Sequence, residues 1–398
     1  MEFRDSPTES AFRTEVRGFI DHELPDGLAR QGLPGAMFGG GGGFEAGDRT
    51  LLKKWLGKLN TRGWTVPAWP TEYGGAGMSV MEQFIFSEEM AMARAPRGLG
   101  GIGAGWVGPT IILYGTDEQK KTHLPKIASG EAVWCQGFSE PQAGSDLASI
   151  QTRAVRDGDD YILNGQKIWT SLAHVAGWCI VIARTDPDAP KHKGISYFLL
   201  DMKSSGVEVK PLINMAGSHD FNEVFFDDVR VPRESLLGEE NRGWYISTAT
   251  LDFERSSIAT NVSHIIAVDE LTSYAASHRD NGHRGSKIRY ELADRKIEAE
   301  VGRLMSYQVI SMQSKGLVPN KEASIAKLYS SELDVRIWGT ALKMLGLRGQ
   351  LLKGSKHAQF DGSIPRSHMY ATTSPVGGGT SEIQRNIIAM RGLGMPRD

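Results

Sequence analysis

Residues 134–154, WCQGFSEPQAGSDLASIQTRA, are the stretch that decides how this chain of 398 residues is interpreted. They are rich in glycine, serine and turn-forming residues, so they expose backbone N–H groups and small hydroxyls on which a flat, anionic cofactor can lie. A second stretch, LDFERS at residues 251–256, is far downstream and is predicted to be helical. We interpret the rest of the chain as the framework that brings the two stretches together.

Glu254 is the residue of the second stretch that points to chemistry. It follows Leu251 by three residues and precedes Ile258 by four, so it lies on the apolar stripe of the predicted helix. A carboxylate on such a stripe is costly unless it is paired or used. The spacing alone leaves two interpretations open, an ion pair with an arginine of a neighbouring helix and a catalytic role.

The composition is that of an ordinary globular protein. Apolar residues make up 40% of the chain, charged residues make up 23%, and the formal net charge of −2 favours no nucleic acid partner. Cys135 and Cys179 form no C-x-x-C pair and the histidines show no ligand spacing, so we expect neither a disulfide framework nor a metal site. No apolar run reaches the roughly 18 residues that span a bilayer, and the N-terminus does not resemble a targeting peptide. We therefore expect a cytoplasmic protein without membrane insertion.

Hydrophobic periodicity divides the chain into three parts. Helical spacing predicts an N-terminal helical domain over residues 1–130. Short β-branched and aromatic runs predict a middle β domain, a barrel or sandwich, over residues 131–240, with a hairpin turn at Asp157 and Gly158. Helical spacing returns in a predicted four-helix bundle over residues 241–398. The predicted fold class is mainly α with a middle β domain.

The segment GLGGIG, residues 98–103, matches the G-x-G-x-x-G pattern of dinucleotide-binding folds. That pattern requires a strand before it, and the residues that precede it here are helix-forming. We therefore expect a connection between helices and no Rossmann fold.

Two motifs give the sequence a family resemblance. GFSEPQAGSDLAS, residues 137–149, resembles the signature of the acyl-CoA dehydrogenase family, and GTSEIQR, residues 379–385, resembles the start of that family's final helix. The order of helical, β and helical domains is similar as well. The resemblance implies a flavoprotein that binds FAD between the β domain and the helical domains without a Rossmann fold.

The resemblance also implies which residues contact FAD. Phe138 and Ser139 are expected at the isoalloxazine edge, Trp169 over one ring face and Ser171 near the reactive nitrogen. A flat aromatic cofactor favours an indole on its face and small hydroxyls at its polar rim, so the residue types agree. Without the motif, Trp169 would be assigned to the core of the β domain. The remaining cofactor-binding positions that the resemblance implies are Gly144, Arg279, Thr380 and Glu382.

The chemistry that the resemblance implies is α,β-dehydrogenation of an acyl-CoA thioester, with electrons passed to an electron-transfer flavoprotein. A base removes the α-proton while the β-hydrogen leaves as hydride to the flavin, and the developing enolate requires hydrogen bonds to the thioester oxygen. One of these bonds comes, in the family, from a backbone N–H that corresponds to Gly378 here. The glutamate that many members use as base is missing, because residues 378–380 are Gly-Gly-Thr.

A branch of the family has its base on the first helix of the C-terminal bundle, in an LxxER context, and LDFER matches it. The apolar stripe and the resemblance both select Glu254, so we predict that Glu254 is the catalytic base. Ser145 and Asp252 are expected along the coenzyme A arm of the substrate, and Arg255 beside the base. An interhelical salt bridge is the alternative for Arg255.

Two departures from the family pattern concern contacts between subunits. Lys343 replaces a glutamine that holds FAD from a neighbouring subunit, and Arg279 is the counterpart of an arginine in a second such contact. If FAD is shared in this way, a monomer cannot complete the site. We therefore expect a homodimer, a homotetramer or a heteromer with a related chain.

Two other functions stay open. The chain can be a flavin oxidase or monooxygenase on the same fold, in which oxygen reaches the reduced flavin. It can also be a catalytically silent partner subunit of a heteromeric acyl-CoA dehydrogenase, which the missing loop glutamate favours and Glu254 opposes. Anaerobic bleaching of the flavin by an acyl-CoA, followed by slow reoxidation in air, distinguishes the dehydrogenase from the oxidase, and a colourless protein supports the silent subunit.

Overall fold

The computed structural model of the chain describes residues 5–28, 46–96, 101–253, 258–278 and 283–396. The side chains of residues 46–49, 252–253 and 283–285 lie outside that description. Helices dominate both ends of the sequence and one β-sheet occupies its middle, which confirms the predicted fold class.

Five α-helices precede the sheet within the described residues. They are α1 (Pro7–Glu23), α2 (Ala46–Thr61), α3 (Val80–Met92), α4 (Gly108–Tyr114) and α5 (Asp117–Ala128). Ser6, Ser79 and Thr116 each begin one of them with a capping box. The hydroxyl accepts a hydrogen bond from the backbone N–H three residues later, and the Glu or Gln side chain at that later position accepts one from the backbone N–H of the capping residue. Two orphan N–H groups are satisfied at each of these helix starts, which is why the helices begin there.

The described part of the GLGGIG segment is helical. Residues 101–102 lead into a π-helical turn, Gly103–Val107, and then into α4. The predicted connection between helices is therefore wrong for these residues. The last regular element described before the segment is α3, so the strand that a dinucleotide fingerprint requires is not found among the described residues.

Seven strands form one sheet in the part of the chain that the structure describes. They are β1 (Trp134–Gly137), β2 (Arg153–Asp157), β3 (Asp160–Lys167), β4 (Trp178–Arg184), β5 (Ile195–Asp201), β6 (Val207–Leu212) and β7 (Phe221–Val231). Their order is β1-β4-β2-β3-β7-β6, with β5 paired to β4. The β2–β3, β3–β7, β4–β5 and β6–β7 pairs are antiparallel, and β1 is parallel to β4.

The predicted hairpin is present between β2 and β3. Asp157 pairs with Asp160, so the two-residue turn consists of Gly158 and Asp159, one residue later than predicted. Gly158 has φ +63°, a conformation that glycine adopts without steric cost.

Six α-helices follow the sheet within the described residues. They are α6 (Gly243–Phe253), α7 (Ile258–Ser277), α8 (His283–Gln313), α9 (Asn320–Leu345), α10 (Ser363–Ala371) and α11 (Ser381–Ile387). The predicted helix that contains residues 251–256 begins within α6, and residues 254–257 lie outside the described residues. The sequence pattern did not predict α10.

The helices and strands form two compact units. One unit contains α1, α3 and α7 to α11, and its core includes Val268, Leu271, Leu333 and Ile337. The other contains α2, α4 to α6 and the sheet, and its cores are built on the apolar faces of the strands. The division of the sequence into three domains, at residues 130 and 240, stays a prediction.

Buried charges connect α1, α3 and α8 in the first unit. Glu88 and Glu89 of α3 are only 2% and 5% exposed. Arg13 of α1 donates to both carboxylates at 2.6 Å, and Arg303 of α8 donates to Glu88 at 2.7 Å. Arg13 also donates to Asp5 at 2.6 Å. Because each buried carboxylate has a cationic partner, the cluster avoids the large penalty of an isolated buried charge.

The two cysteines face each other across neighbouring strands. Cys135 of β1 and Cys179 of β4 occupy one register position of the parallel pair, and both are free and fully buried. None of the described helices combines the length and the apolar character that crossing a bilayer requires.

Candidate active site

The turn-rich segment after β1 folds into a tight turn. Glu140 and Ala143 exchange two backbone hydrogen bonds, of 3.1 and 3.0 Å, which close a tight turn. Gly144 and Ser145 then follow in exposed positions, and a Cβ added at Gly144 would meet no atom within 4 Å. The N–H groups of this segment can therefore be approached closely by a ligand.

Trp169 is an exposed aromatic residue of the same unit that a flat ligand can cover. The residue is 55% exposed, and its ring is nearly perpendicular to that of Phe221, with the ring centroids 5.9 Å apart. Its backbone has φ +60°, a left-handed conformation that costs a bulky residue roughly 1–3 kcal/mol. The prediction that Trp169 is not a core residue is consistent with this exposure.

Hydrogen bonds on both sides hold the Trp169 backbone. The N–H of Ile168 donates to the carbonyl oxygen of Ser139 at 2.9 Å, and the N–H of Thr170 donates to that of Asn222 at 3.0 Å. The first bond links the two segments that the resemblance selected, so the structure brings Ser139 close to the Trp169–Ser171 segment. The ring of Phe138 is buried edge-on against Tyr197, with centroids 5.8 Å apart.

A fully buried lysine beneath these segments was missed by the sequence analysis. Lys167, the last residue of β3, has no exposed surface, and its Nζ donates to the carbonyl oxygen of Phe138 at 3.1 Å and to Glu140 Oε1 at 2.8 Å. Burial lowers the pKa of Lys167 to about 8, although the Glu140 carboxylate opposes that shift. The spacing of Tyr161, Leu163 and Lys167 was the signal available in the sequence, because residues an even number of positions apart lie on the same face of a strand.

Glu140 is satisfied on every side. Its Oε2 accepts the N–H of Gln151 at 2.6 Å, and its Oε1 accepts the N–H of Thr152 at 2.9 Å in addition to the Lys167 ammonium. Burial alone would raise the pKa of Glu140, but the charge of Lys167 and these hydrogen bonds outweigh it and hold that pKa below its ordinary value. Lys167 and Glu140 therefore form a buried ion pair directly behind the signature turn.

The loop before α11 is built from glycines in left-handed conformations. Gly378 and Gly379 are exposed, with φ values of +66° and +88°. Gln384 Nε2 lies 3.2 Å from the carbonyl oxygen of Gly378, and Lys327 Nζ donates to that of Gly379 at 2.7 Å. These bonds hold the carbonyl groups of the loop. No described residue accepts a hydrogen bond from the N–H of Gly378. That N–H can donate to a ligand.

The other predicted positions of the C-terminal part are only partly described. Thr380 caps α11, since its hydroxyl accepts the N–H of Ile383 at 3.2 Å. The backbone N–H of Glu382 and the Thr380 hydroxyl lower the pKa of the exposed Glu382 carboxyl. Lys343 Nζ pairs with Glu291 Oε2 at 3.1 Å. Three predicted site residues and one predicted side chain lie outside the described residues: Glu254, Arg255, Arg279 and the side chain of Asp252.

Comparison with known proteins matches the whole chain. Models of the N-terminal, middle and C-terminal domains of acyl-CoA dehydrogenase match residues 6–131, 135–229 and 241–393. Acyl-CoA dehydrogenase FadE26 of Mycobacterium tuberculosis is 38% identical over 409 aligned positions, which cover 100% of this chain and 99% of that protein.

Two solved structures are similar over the full length of both chains. The Tcur3481–Tcur3483 steroid ACAD superposes with a TM-score of 0.85 at 32% sequence identity, and the alignment covers 100% of each chain. The ChsE4–ChsE5 complex from Mycobacterium tuberculosis superposes with a TM-score of 0.84 at 34% identity, again with 100% of each chain covered.

Proposed function

Because this chain belongs to the acyl-CoA dehydrogenase family of oxidoreductases, we propose that it forms a double bond between Cα and Cβ of an acyl-CoA thioester with FAD. The family is FAD-dependent and acts on acyl-CoA. The observation that carries the proposal for this chain concerns Trp169. The residue is exposed, its backbone has a strained conformation, and hydrogen bonds of the neighbouring residues hold that backbone beside the signature segment. A planar aromatic ligand would bury that indole face and so offset the cost of presenting it.

The residues of this segment fit the isoalloxazine system. Trp169 would cover one ring face, while Ser171 and the backbone of Phe138 and Ser139 would supply polar groups at the rim. The exposed Gly144 and Ser145 would allow a ligand to approach the backbone closely. When bound, FAD supplies the acceptor for the hydride that leaves the substrate β-carbon.

Gly378 would stabilise the thioester oxygen. The α-proton of a thioester is far less acidic than a carboxylic acid, so its removal requires stabilisation of the enolate charge. The N–H of Gly378 has no acceptor in the described part of the chain and belongs to a loop whose carbonyls are held by Gln384 and Lys327. A donor of this kind is preorganised, so little reorganisation accompanies the reaction.

Glu254 is the proposed base. The loop before α11 has Gly378 at the position where many members of the family have a glutamate as base. The support is the LDFER context and the position of Glu254 on the apolar stripe. In the proposed mechanism its carboxylate takes the α-proton as the hydride leaves the β-carbon. Ser145, Asp252 and Arg255 are the proposed substrate-binding residues, the first two for the coenzyme A arm.

The test of this function is Glu254→Gln mixed anaerobically with acyl-CoA substrates. We expect flavin reduction to slow by roughly 10²–10⁴-fold while FAD stays bound, because the amide cannot accept the proton. Glu118→Gln, which changes an exposed helix glutamate in the same way, is the control and should reduce its flavin normally. Near-normal reduction in Glu254→Gln would mean that another residue is the base.

The proposed substrates are bulky thioesters of the steroid or branched type. The support is the full-length similarity to a steroid ACAD and the proposed helix-borne base. A panel of straight-chain, branched and steroid side-chain CoA esters should give the highest kcat/KM with a bulky member. Preference for a straight chain would contradict this assignment without affecting the proposed chemistry.

We also propose an oligomer that passes electrons to an electron-transfer flavoprotein. The ChsE4–ChsE5 structure is a complex of two chains, so a heteromer with a related chain stands beside a homodimer or homotetramer. The second candidate function, a silent partner subunit, is favoured by the absence of a carboxylate at Gly378. Purified protein without bound FAD, alone or with added FAD, would support that candidate and contradict the first.

A further inference from the structure

Lys167 carries a charge that the proposed chemistry does not use. Its ammonium has no contact with solvent, and a buried cation is costly unless it is paired and hydrogen-bonded. Lysine is also among the residues that are least often fully buried. The position of its two acceptors indicates what the charge is for.

Both acceptors belong to residues 138–140, the segment proposed at the flavin edge. Lys167 Nζ donates to the carbonyl oxygen of Phe138 and to the carboxylate of Glu140, and the neighbouring N–H of Ile168 donates to the carbonyl oxygen of Ser139. Three consecutive residues are therefore held by the dipeptide Lys167–Ile168. Because Trp169 follows directly, the same dipeptide connects the proposed edge contact with the proposed face contact.

The surroundings leave this arrangement little freedom. A Cβ added at Gly137 would lie 3.4 Å from Lys167 Cγ and 3.2 Å from Cys179 Sγ, so β1 approaches the lysine stem closely. Glu140 is held from its far side by the N–H groups of Gln151 and Thr152. Loss of the ammonium would free the Phe138 carbonyl and leave the Glu140 carboxylate buried without a cation.

We propose that Lys167 is a positioning residue of the flavin site, which fixes the Phe138–Ser139 backbone and the adjacent Trp169 segment in the orientation that binds the isoalloxazine ring. This inference rests on the proposed function, since it assumes that FAD binds here. A merely structural lysine would affect the stability of the sheet and leave the bound flavin unchanged.

Lys167→Met tests the inference, because methionine keeps most of the side-chain length and removes the charge. Lys210→Met on β6 is the matched control, since Lys210 is 51% exposed and contacts Glu208 at 3.4 Å and the face of the Phe225 ring at 4.6 Å. The measurements are the melting temperature of the apoprotein, the Kd for FAD and the visible absorption spectrum of the holoprotein. In Lys167→Met we expect the Kd for FAD to rise about tenfold and the flavin absorption band to shift, whereas neither should change in Lys210→Met. A lower melting temperature with unchanged Kd and spectrum would overturn the inference.

Two further measurements keep the test valid if Lys167→Met does not fold. The double variant Lys167→Met/Glu140→Gln removes both buried charges, so it avoids an unpaired carboxylate and still lacks the bond to Phe138. It should bind FAD weakly with an altered spectrum, and normal binding would overturn the inference.

The other measurement uses the wild-type holoprotein. Glu140 and Cys179 are the titratable groups that face Lys167, and its pKa is lowered to about 8. The flavin spectrum of the wild type should therefore change as pH rises through that region, and the same change in Lys167→Met/Glu140→Gln, which lacks both groups, would contradict the inference. Wild-type protein that binds no FAD would instead overturn the proposed function, so the two failures are distinguishable.

Discussion

Trp169 combines an exposed indole with a left-handed backbone angle, and both features should matter to cofactor binding. Trp169→Ala removes the ring and keeps the strained φ, so we expect FAD binding to weaken about tenfold or more. The melting temperature of the apoprotein should change little, because a ring that is 55% exposed contributes modestly to the core. Tyr290→Ala, at a ring that is 76% exposed, is the control. Equal FAD affinity in the two variants would contradict a role for the indole.

His123 should make folding stability depend on pH. It is 7% exposed and meets the rings of Trp134 and Trp178 edge-on, at centroid distances of 5.2 and 4.6 Å. Burial, with a smaller contribution from the charge of Lys126, lowers its pKa to about 4. Between that value and the ordinary pKa near 6.5 the unfolded chain binds more protons. The free energy of unfolding should therefore rise by about 3 kcal/mol as pH increases through this window.

His123→Phe isolates this effect because it removes the titrating group from the aromatic cluster. Urea unfolding of wild type and variant at pH 4.5 and 7 should show a smaller pH dependence in the variant. The exposed His278→Phe is the control and should keep the wild-type dependence. If His123→Phe loses as much stability on acidification as wild type, the histidine is not the cause.

Single residues of the candidate site could be predicted only where a motif or a spacing singled them out. The signature stretch and the segment after it select Ser139, Trp169 and Ser171, whose neighbourhood the structure describes. The alternation of residues along β3 places Lys167 on the same face as Tyr161 and Leu163. Because a lysine side chain normally keeps its charge in water, this pattern did not predict that Lys167 is buried. Its burial depends on Glu140, which is 27 residues away along the chain.

Gly379, in the loop before α11, allows a prediction about a structural element as a whole. A Cβ at Gly379 would lie 2.7 Å from Gln384 Nε2 on a backbone at φ +88°, so Gly379→Ala should displace the Gln384 amide from the Gly378 carbonyl that it holds. Gly354 has a similar φ of +96° but meets no atom within 4 Å, which makes Gly354→Ala a control for backbone strain alone. We expect kcat to fall at least about tenfold only in Gly379→Ala. A similar loss in both variants would indicate strain and not displacement.

Secondary-structure elements were predictable where local chemistry determines them. The capping boxes, the turn at Gly158 and the long amphipathic helices all depend on residues within a few positions of one another. The short α10 was missed because its buried positions, among them Ile364, Ser367 and Tyr370, cover only two turns. Residues 101–103 were expected in a connection between helices because helix-forming residues precede them, yet the structure shows them within a helix.

At the level of the whole molecule, the buried charge cluster of α1, α3 and α8 should dominate the stability of its unit. Arg13→Met removes one of the two cations that each of Glu88 and Glu89 contacts, so we expect the free energy of unfolding to fall by about 3 kcal/mol. Arg230→Met is the control, because Arg230 is 54% exposed and its surface pairs contribute no more than about 1 kcal/mol.

Charge balance provides a second check on that cluster. Arg13→Met/Glu89→Gln removes one cation and one anion together, so urea unfolding should show part of the lost stability restored. A double variant that is less stable than Arg13→Met would mean that packing of the arginine stem matters more than charge. The sequence could not reveal this cluster, since the residues that pair between its helices are 72 to 215 residues apart.

The facing thiols of β1 and β4 provide a reporter of sheet opening. Cys135 and Cys179 are the chain's two cysteines, both shielded from solvent, and a hydrogen bond with Cys179 together with burial raises the pKa of the Cys135 thiol. An alkylating reagent should therefore react with these thiols when β1 and β4 separate transiently. The rate of labelling then measures how often the two strands open. A ligand that clamps the neighbouring turn should slow that labelling, which would allow occupancy to be followed without monitoring turnover or colour.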